Sequence, residues 1–255
     1  MLYPGVMMKP KAPTARRVGL SREVIVERAA QLSEGRGIEG WSIRDIARSL
    51  DVVPSVIYHY FPHKDDLCAA VVESVCATVD VPDGSLNWKQ WFTVLLARFR
   101  PVLLRYPGVT ERLSVGEFGR AFLPIIDAAC KKLMEAGFAD LTPLAYSMIV
   151  NVAMSTISAR HRRSPPGRSG QNGTAVVLER LNAMVGESEG LDYLVKNYFE
   201  PMSHQDREKR IGEEYYELVI ASLLDGIEHV LLPRAAECDS KNAPNIQCRS
   251  SRTEV

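Results

Sequence analysis

Cysteine is scarce in this chain and poorly spaced for chemistry. The five cysteines stand at 68, 76, 130, 238 and 248, and no two form a C-x-x-C pair. That spacing excludes a zinc ribbon or a dithiol redox motif and predicts buried, reduced thiols. Histidine is equally thin. His161, His204 and His229 are isolated from any cysteine or carboxylate at metal-ligand spacing. His59 and His63 are four apart, but Pro62 between them ends the helix and removes the shared face. A G-x-S-x-G elbow, a P-loop and a dinucleotide-binding glycine pattern are all missing. No catalytic centre, metal or cofactor is therefore expected. An excess of charge of one sign is also missing, since 31 basic residues balance 31 acidic ones. The chain is thus no basic nucleic-acid coat, and any binding to nucleic acid has to come from a local surface. No segment approaches the roughly 20 uninterrupted apolar residues of a membrane span, and no apolar leader is visible. No stretch alternates with period two between turn signals, so no sheet is expected. These absences predict a cytoplasmic, all-α protein without membrane association.

The densest pattern is residues 41 to 67, W-S-I-R-D-I-A-R-S-L-D-V-V-P-S-V-I-Y-H-Y-F-P-H-K-D-D-L. Ser42 and Asp45 are three apart and predict a capped helix start. Ile43, Ile46, Ala47 and Leu50 then share one helical face, with Arg44 and Arg48 off it. Asp51 predicts a turn, because Asp tolerates the left-handed backbone, and Val52 fills the apolar corner behind it. Pro54 suits the first position of a second helix. Val56, Ile57 and Tyr60 face inward on that helix, while Ser55, Tyr58 and His59 face outward. Pro62 stops it, and Lys64, Asp65 and Asp66 open the next. Upstream, Ser21 caps a helix carrying Val24, Ile25, Ala29 and Leu32, which Gly35 and Gly37 end. Three short helices in this order form a helix-turn-helix unit, whose last helix enters the major groove.

Residues 20 to 67 resemble the N-terminal domain of the tetracycline-repressor (TetR) family of bacterial regulators. The S-I-R-D-I-A start, the L-D-V turn and the I-Y-H-Y-F-P-H-K-D-D-L run carry the resemblance, and Asp51 stands where the family's turn usually has Gly. It implies a homodimer on a palindromic, double-stranded DNA operator, released when a small-molecule effector fills a C-terminal pocket. Position by position, it implies that Ser42 and Arg44 meet the backbone and a base edge. Val53, Pro54, Ser55 and His59 would present to the major groove, and Tyr58 and Lys64 would hold phosphates.

The resulting organisation is a basic arm over 1–19, a helix-turn-helix domain over 20–66, a ligand-binding and dimerisation domain over 67–232, and a disordered tail over 233–255. Lys9, Lys11, Arg16 and Arg17 make the arm basic enough to reach phosphates or a minor groove. The helix behind Lys64 carries Leu67, Val71, Val72 and Val75, and links reader to second domain. Asn87 caps a long helix in which Pro101 predicts a kink. Further helices are expected near 109–113, 121–136, 140–162, 175–185 and 205–232. Residues 161–174 read as a mobile, solvated loop rich in Pro, Gly, Ser and Arg.

Two surfaces follow. Trp88, Trp91, Phe92, Phe99, Phe118, Phe122 and Met148 are the candidate pocket lining, and the lack of an obvious charge cluster among them points to an apolar or aromatic ligand. Ile149, Val152 and Thr156, with Tyr215, Leu218, Val219, Ser222 and Gly226, form helix faces suited to a dimer interface. The resemblance implies that two such helices from each subunit pack as a four-helix bundle. Two other readings fit the same chain: a constitutive or partner-modulated DNA-binding regulator without a small-molecule ligand, and a small-molecule-binding or catalytic helical protein whose helix-turn-helix is vestigial.

Overall fold

A computed structural model of the chain describes residues 19–163 and 173–242, and every regular element among them is helical. Twelve α-helices follow one another. The first four are α1 (Arg22–Ser33), α2 (Ile43–Ser49), α3 (Pro54–Tyr60) and α4 (Lys64–Cys76). The middle four are α5 (Trp88–Arg105), α6 (Val109–Ser114), α7 (Leu123–Glu135) and α8 (Thr142–Arg163). The last four are α9 (Gly173–Asn182), α10 (Glu189–Leu194), α11 (Glu200–Ser203) and α12 (Gln205–Asn242). Lys9 to Arg17 of the basic arm, and most of the 161–174 loop, lie outside the described residues.

Local chemistry sets the helix starts. Ser21 Oγ accepts from the Val24 N–H, and Asn87 Oδ1 accepts from the Gln90 N–H at 2.9 Å. Asp66 accepts from the His63 N–H at 3.1 Å, closing the turn that opens α4. Helices α1, α2 and α4 pack around Ile25, Ile46, Ile57, Phe61 and Leu67, all fully buried. That core runs without a break into the second domain through Val71, Val72 and Val75 of α4. One cooperative apolar core therefore supports both halves, which limits how far either can move alone.

Helices α5, α7, α8 and α12 build the second domain. On α12, Tyr216, Ile220, Leu224, Ile227, Leu231 and Ala235 form the buried stripe, stepping three or four residues at a time. Lys89 ties α5 to α12 through Asp225 at 2.9 Å and Glu228 at 2.5 Å. Helix α8 is long and apolar enough by composition to cross a membrane. Here its inward residues Ala145, Ile149, Ala153 and Ile157 are spent on contacts with α5, α6, α7 and α12.

Two departures from the sequence reading concern the C-terminal half. Helix α12 does not end at Leu232 but continues to Asn242, ten residues into the segment expected to be disordered. Pro233 faces solvent and Ala235 is buried, so the packed stripe outlasts the hydrogen bond that proline removes. Helices α10 and α11, joined by the wide π-helical turn Val195–Phe199, occupy a stretch that shows no apolar period. Only Val195 and Met202 are buried there, too few to mark a helical face in sequence.

Candidate nucleic-acid interface

The reader begins with a reciprocal cap. Ser42 Oγ accepts from the Asp45 N–H at 3.3 Å, and the Asp45 carboxylate accepts from the Ser42 N–H at 2.9 Å. The Ser42 hydroxyl, which also donates to that carboxylate at 2.7 Å, and then the Ser42 N–H hold the Asp45 carboxyl below its ordinary range. The turn that follows is tight. Asp51 has φ 53°, in the left-handed region, and the Val52 N–H reaches back to the Ala47 carbonyl at 3.0 Å. Asp thus performs the backbone task that glycine would otherwise perform. Val53 precedes α3 in extended conformation, and Pro54 takes its first position.

On α3, Ile57 alone is fully buried, and it pins the helix from behind. Val53 is 61% exposed and Tyr58 50% exposed; Ser55 and His59 are exposed beside them. Arg44 and Arg48 are exposed on α2, Arg48 lying 3.3 Å from Asp45. The residues assigned to DNA are therefore exposed, apart from Pro54 and Lys64, which are half-buried. The far end of α3 is anchored to α1. Tyr60 Oη donates to the Leu20 carbonyl at 2.9 Å, and the Arg22 guanidinium lies 4.1 Å from the Phe61 ring centre.

Lys64 is the assigned residue most engaged within the chain. Its ammonium donates to both the backbone and the carboxylate of Glu39 at 3.2 Å and lies 5.0 Å from the Trp41 ring centre. Glu39 in turn receives Arg112 of α6, through Nε at 3.2 Å and through Nη2. Arg112 also reaches Asp65 at 3.0 Å and Glu117 at 2.7 Å. Sequence reasoning missed Glu39 and Arg112. They are 73 residues apart, and neither sits in a motif. Two backbone bonds run beside this cluster: Gly35 N–H to the Arg105 carbonyl at 3.2 Å, and Ile38 N–H to the Pro107 carbonyl at 2.8 Å. Gly108 makes the approach possible. Its φ is +92°, and a Cβ there would stand 2.8 Å from Ile38 Cγ2.

The aromatic set read as a pocket is mostly packed core. Trp88 meets Phe138 edge-on, Trp91 meets Phe92 edge-on, and Phe99 stacks on Phe122, all of them buried. Phe118 and Met148 are exposed, Met148 on the outer side of α8. A cavity lies instead between α5, α8 and α12, lined by Arg100, Leu104, Arg160, Tyr198, Tyr215 and Tyr216 among others. Its lining is charged as well as aromatic, contrary to the uncharged pocket the sequence suggests. The arginines come from helices about 60 residues apart in the chain, so no sequence window displays them together.

The interface set divides. Ile149 is fully buried inside the subunit and is not available to a partner. The exposed apolar residues of α8 are Leu144 and Met148, with Val152 half-buried beside them. Thr156 lines the cavity. On α12, Tyr215, Leu218, Ser222 and Gly226 are exposed and Val219 is half-buried. Among the thiols, Cys68 and Cys76 are buried, and burial pushes them up to about 11 and about 12, which keeps them protonated and unreactive.

Residues 25–71 match the family model described as bacterial regulatory proteins, tetR family. An HTH-type transcriptional regulator from Saccharopolyspora erythraea is 26% identical over 171 residues, which cover 64% of this chain and 72% of that protein. A possible TetR family transcriptional regulator from Streptomyces coelicolor A3(2) superposes with a TM-score of 0.65 at 23% identity, covering 82% of this chain and 100% of the other. The Streptomyces coelicolor TetR family protein ActR, in complex with actinorhodin, superposes with a TM-score of 0.60 at 20% identity, covering 82% of this chain and 99% of the other. At such identities the superpositions carry the fold, and the family match covers the reader domain. The capped and anchored helix-turn-helix thus matches the tetR-family reader over residues 25–71, and the all-helical second domain it is seated on is similar in fold to those of solved TetR family proteins.

Proposed function

We propose that the chain is a ligand-responsive repressor that binds a palindromic operator as a homodimer and is released by a small-molecule effector. The observation that carries this reading is the path along α5. Arg100 and Leu104 line the cavity, and the Arg105 and Pro107 carbonyls, directly beyond them, hold Gly35 and Ile38 behind the reader. A ligand that shifts α5 would displace the base of the helix-turn-helix without crossing any flexible joint. The ActR complex with actinorhodin supports the idea that this fold accommodates a ligand.

In the DNA complex, Ser42 and Arg44 would sit at the backbone, with Val53, Pro54, Ser55 and His59 at base edges and Tyr58 and Lys64 on phosphates. Lys64 would exchange Glu39 for phosphate, or share its three donors between them. The dimer would form through the exposed apolar residues of α8 and α12, with Leu144, Met148 and Leu218 at its centre. A contiguous exposed apolar face on a long helix is the usual mark of such a contact.

One observation favours the alternative of a regulator without a small-molecule ligand. The cavity volume is only about 30 Å³, room for one or two waters. An effector would have to open it. The test is fluorescence anisotropy on a labelled operator duplex, with metabolites first chosen by thermal shift of the full chain. A compound that both stabilises the protein and lowers anisotropy supports the repressor reading. Operator binding that no stabilising compound alters supports the alternative.

A further inference from the structure

Among the described residues, the lining of the cavity carries more positive than negative charge. Arg100, Arg160 and Arg163 line it together, and Glu208 is the acidic residue in the same lining. Arg100 is partly answered: it donates to the Gly212 carbonyl at 3.3 Å and has Glu213 at 3.9 Å. Among the described residues, Arg160 has no carboxylate within 4.0 Å. Burial, and repulsion from Arg100 and Arg163 against opposing Glu208 and Glu213, weigh on its charged form. A guanidinium cannot shed its proton, so among the described residues it remains a cation that Glu208 and Glu213 answer only at a distance.

A second group points the same way. Tyr216 is 5% exposed, and its hydroxyl has no hydrogen-bond partner among the described residues. Its ring lies 5.3 Å from the Arg100 guanidinium. Burial pushes this phenol up to about 12, so it keeps its proton and can donate. An unpaired buried hydroxyl is costly, and an acceptor in the cavity would recover that cost. Tyr198 and Tyr215 add ring surface, and Tyr198 comes from the π-helical turn, a distortion frequent at functional sites.

We infer that this cavity takes an organic anion, a carboxylate borne on an aromatic or apolar body, seated on Arg160, Arg100 and the Tyr216 hydroxyl. The inference rests on the ligand-responsive reading above and adds the chemical class of the ligand. Arg160 supplies the planar two-donor fork that fits a carboxylate, and Tyr216 supplies a third donor. The rings of Tyr198 and Tyr215 would flank the body. Because the present cavity is so small, binding would separate α8 from α12 and load α5 directly.

The test uses the full chain, with 1-naphthoate as probe and 1-naphthamide as its uncharged match, titrated by calorimetry. The acid is expected to bind saturably and the amide at least about tenfold more weakly. Arg160→Gln should bring the acid down to the level of the amide, and Tyr216→Phe should weaken the acid severalfold. Gly212→Ala should also weaken it, since the added methyl would stand 2.7 Å from an Arg160 guanidinium nitrogen and displace only that flexible end. Arg162→Gln, an exposed neighbour outside the cavity lining, should change nothing. Circular dichroism of each variant checks folding. Equal affinity for acid and amide, no saturable binding of the acid, or a loss in Arg162→Gln matching that in Arg160→Gln would overturn the inference. Operator release is read separately. Acid binding without release keeps the anion site and removes ligand control, whereas release by the amide alone removes the anion site and keeps ligand control.

Discussion

Arg112→Ala is expected to loosen the reader from the second domain. The Arg112 side chain is only 14% exposed and donates to Glu39, Asp65 and Glu117, three carboxylates from three separate segments. A fully buried charge-assisted hydrogen bond contributes about 1.5–3 kcal/mol. These acceptors are largely solvated, with Glu39 61% and Asp65 82% exposed. Solvation discounts each contact to roughly 0.5–1 kcal/mol. Three such contacts give a loss of about 2 kcal/mol, equivalent to about 4–8 °C in Tm for a chain of this size. Arg112→Lys, which keeps the charge but not the fork, should lose about half as much. The pH dependence has a definite sign. The bond from Arg112, then that from Lys64, hold the Glu39 carboxyl below its ordinary range. Its contribution is therefore complete above the unfolded carboxyl pKa of about 4.3 and disappears as pH falls through the lower folded value. The stability gap between wild type and Arg112→Ala should accordingly be full at neutral pH and shrink below about pH 4. Urea unfolding at several pH values measures it. A gap under about 0.5 kcal/mol at neutral pH, within the range of an ordinary surface change, would refute the clamp.

Other expected outcomes concern DNA and the dimer. Lys64→Ala should weaken all duplexes alike and lower the salt slope by about one; a changed preference among operators would remove Lys64 from the phosphate set. His59→Ala should alter base preference at one position of each half-site, and unchanged discrimination across an operator library would exclude it from base reading. Leu218→Glu places a charge on an exposed position of α12, so it should leave monomer folding intact while shifting sedimentation from dimer to monomer; an unchanged dimer would move the interface elsewhere.

The helix-turn-helix was legible because its determinants are local. Ser42 and Asp45 are three residues apart, and the left-handed φ at Asp51 is a property of one residue. The buried residues of α2 and α4 likewise follow from a 3.6-residue period. What stayed hidden is non-local. Arg112 meets Glu39 across 73 residues, and Arg100 reaches Gly212 across 112. Aromatic residues were a poor guide to the cavity, because Trp91 and Phe92 serve a close-packed core just as well. On α8 a stripe of small and apolar residues could face the core or a partner, and only the packing of α5, α7 and α12 assigns Ile149 to the core. The extension of α12 past Pro233 depends on the burial of Ala235, which no local signal announces.

Selection of bound duplexes from a random pool by the full chain tests the central claim most directly. A two-fold dimer presenting two α3 helices to successive major grooves predicts an inverted repeat whose half-site centres lie about 34 Å apart, or a multiple of one helical turn. Enrichment of a single unrepeated half-site, or of no sequence at all, would contradict it.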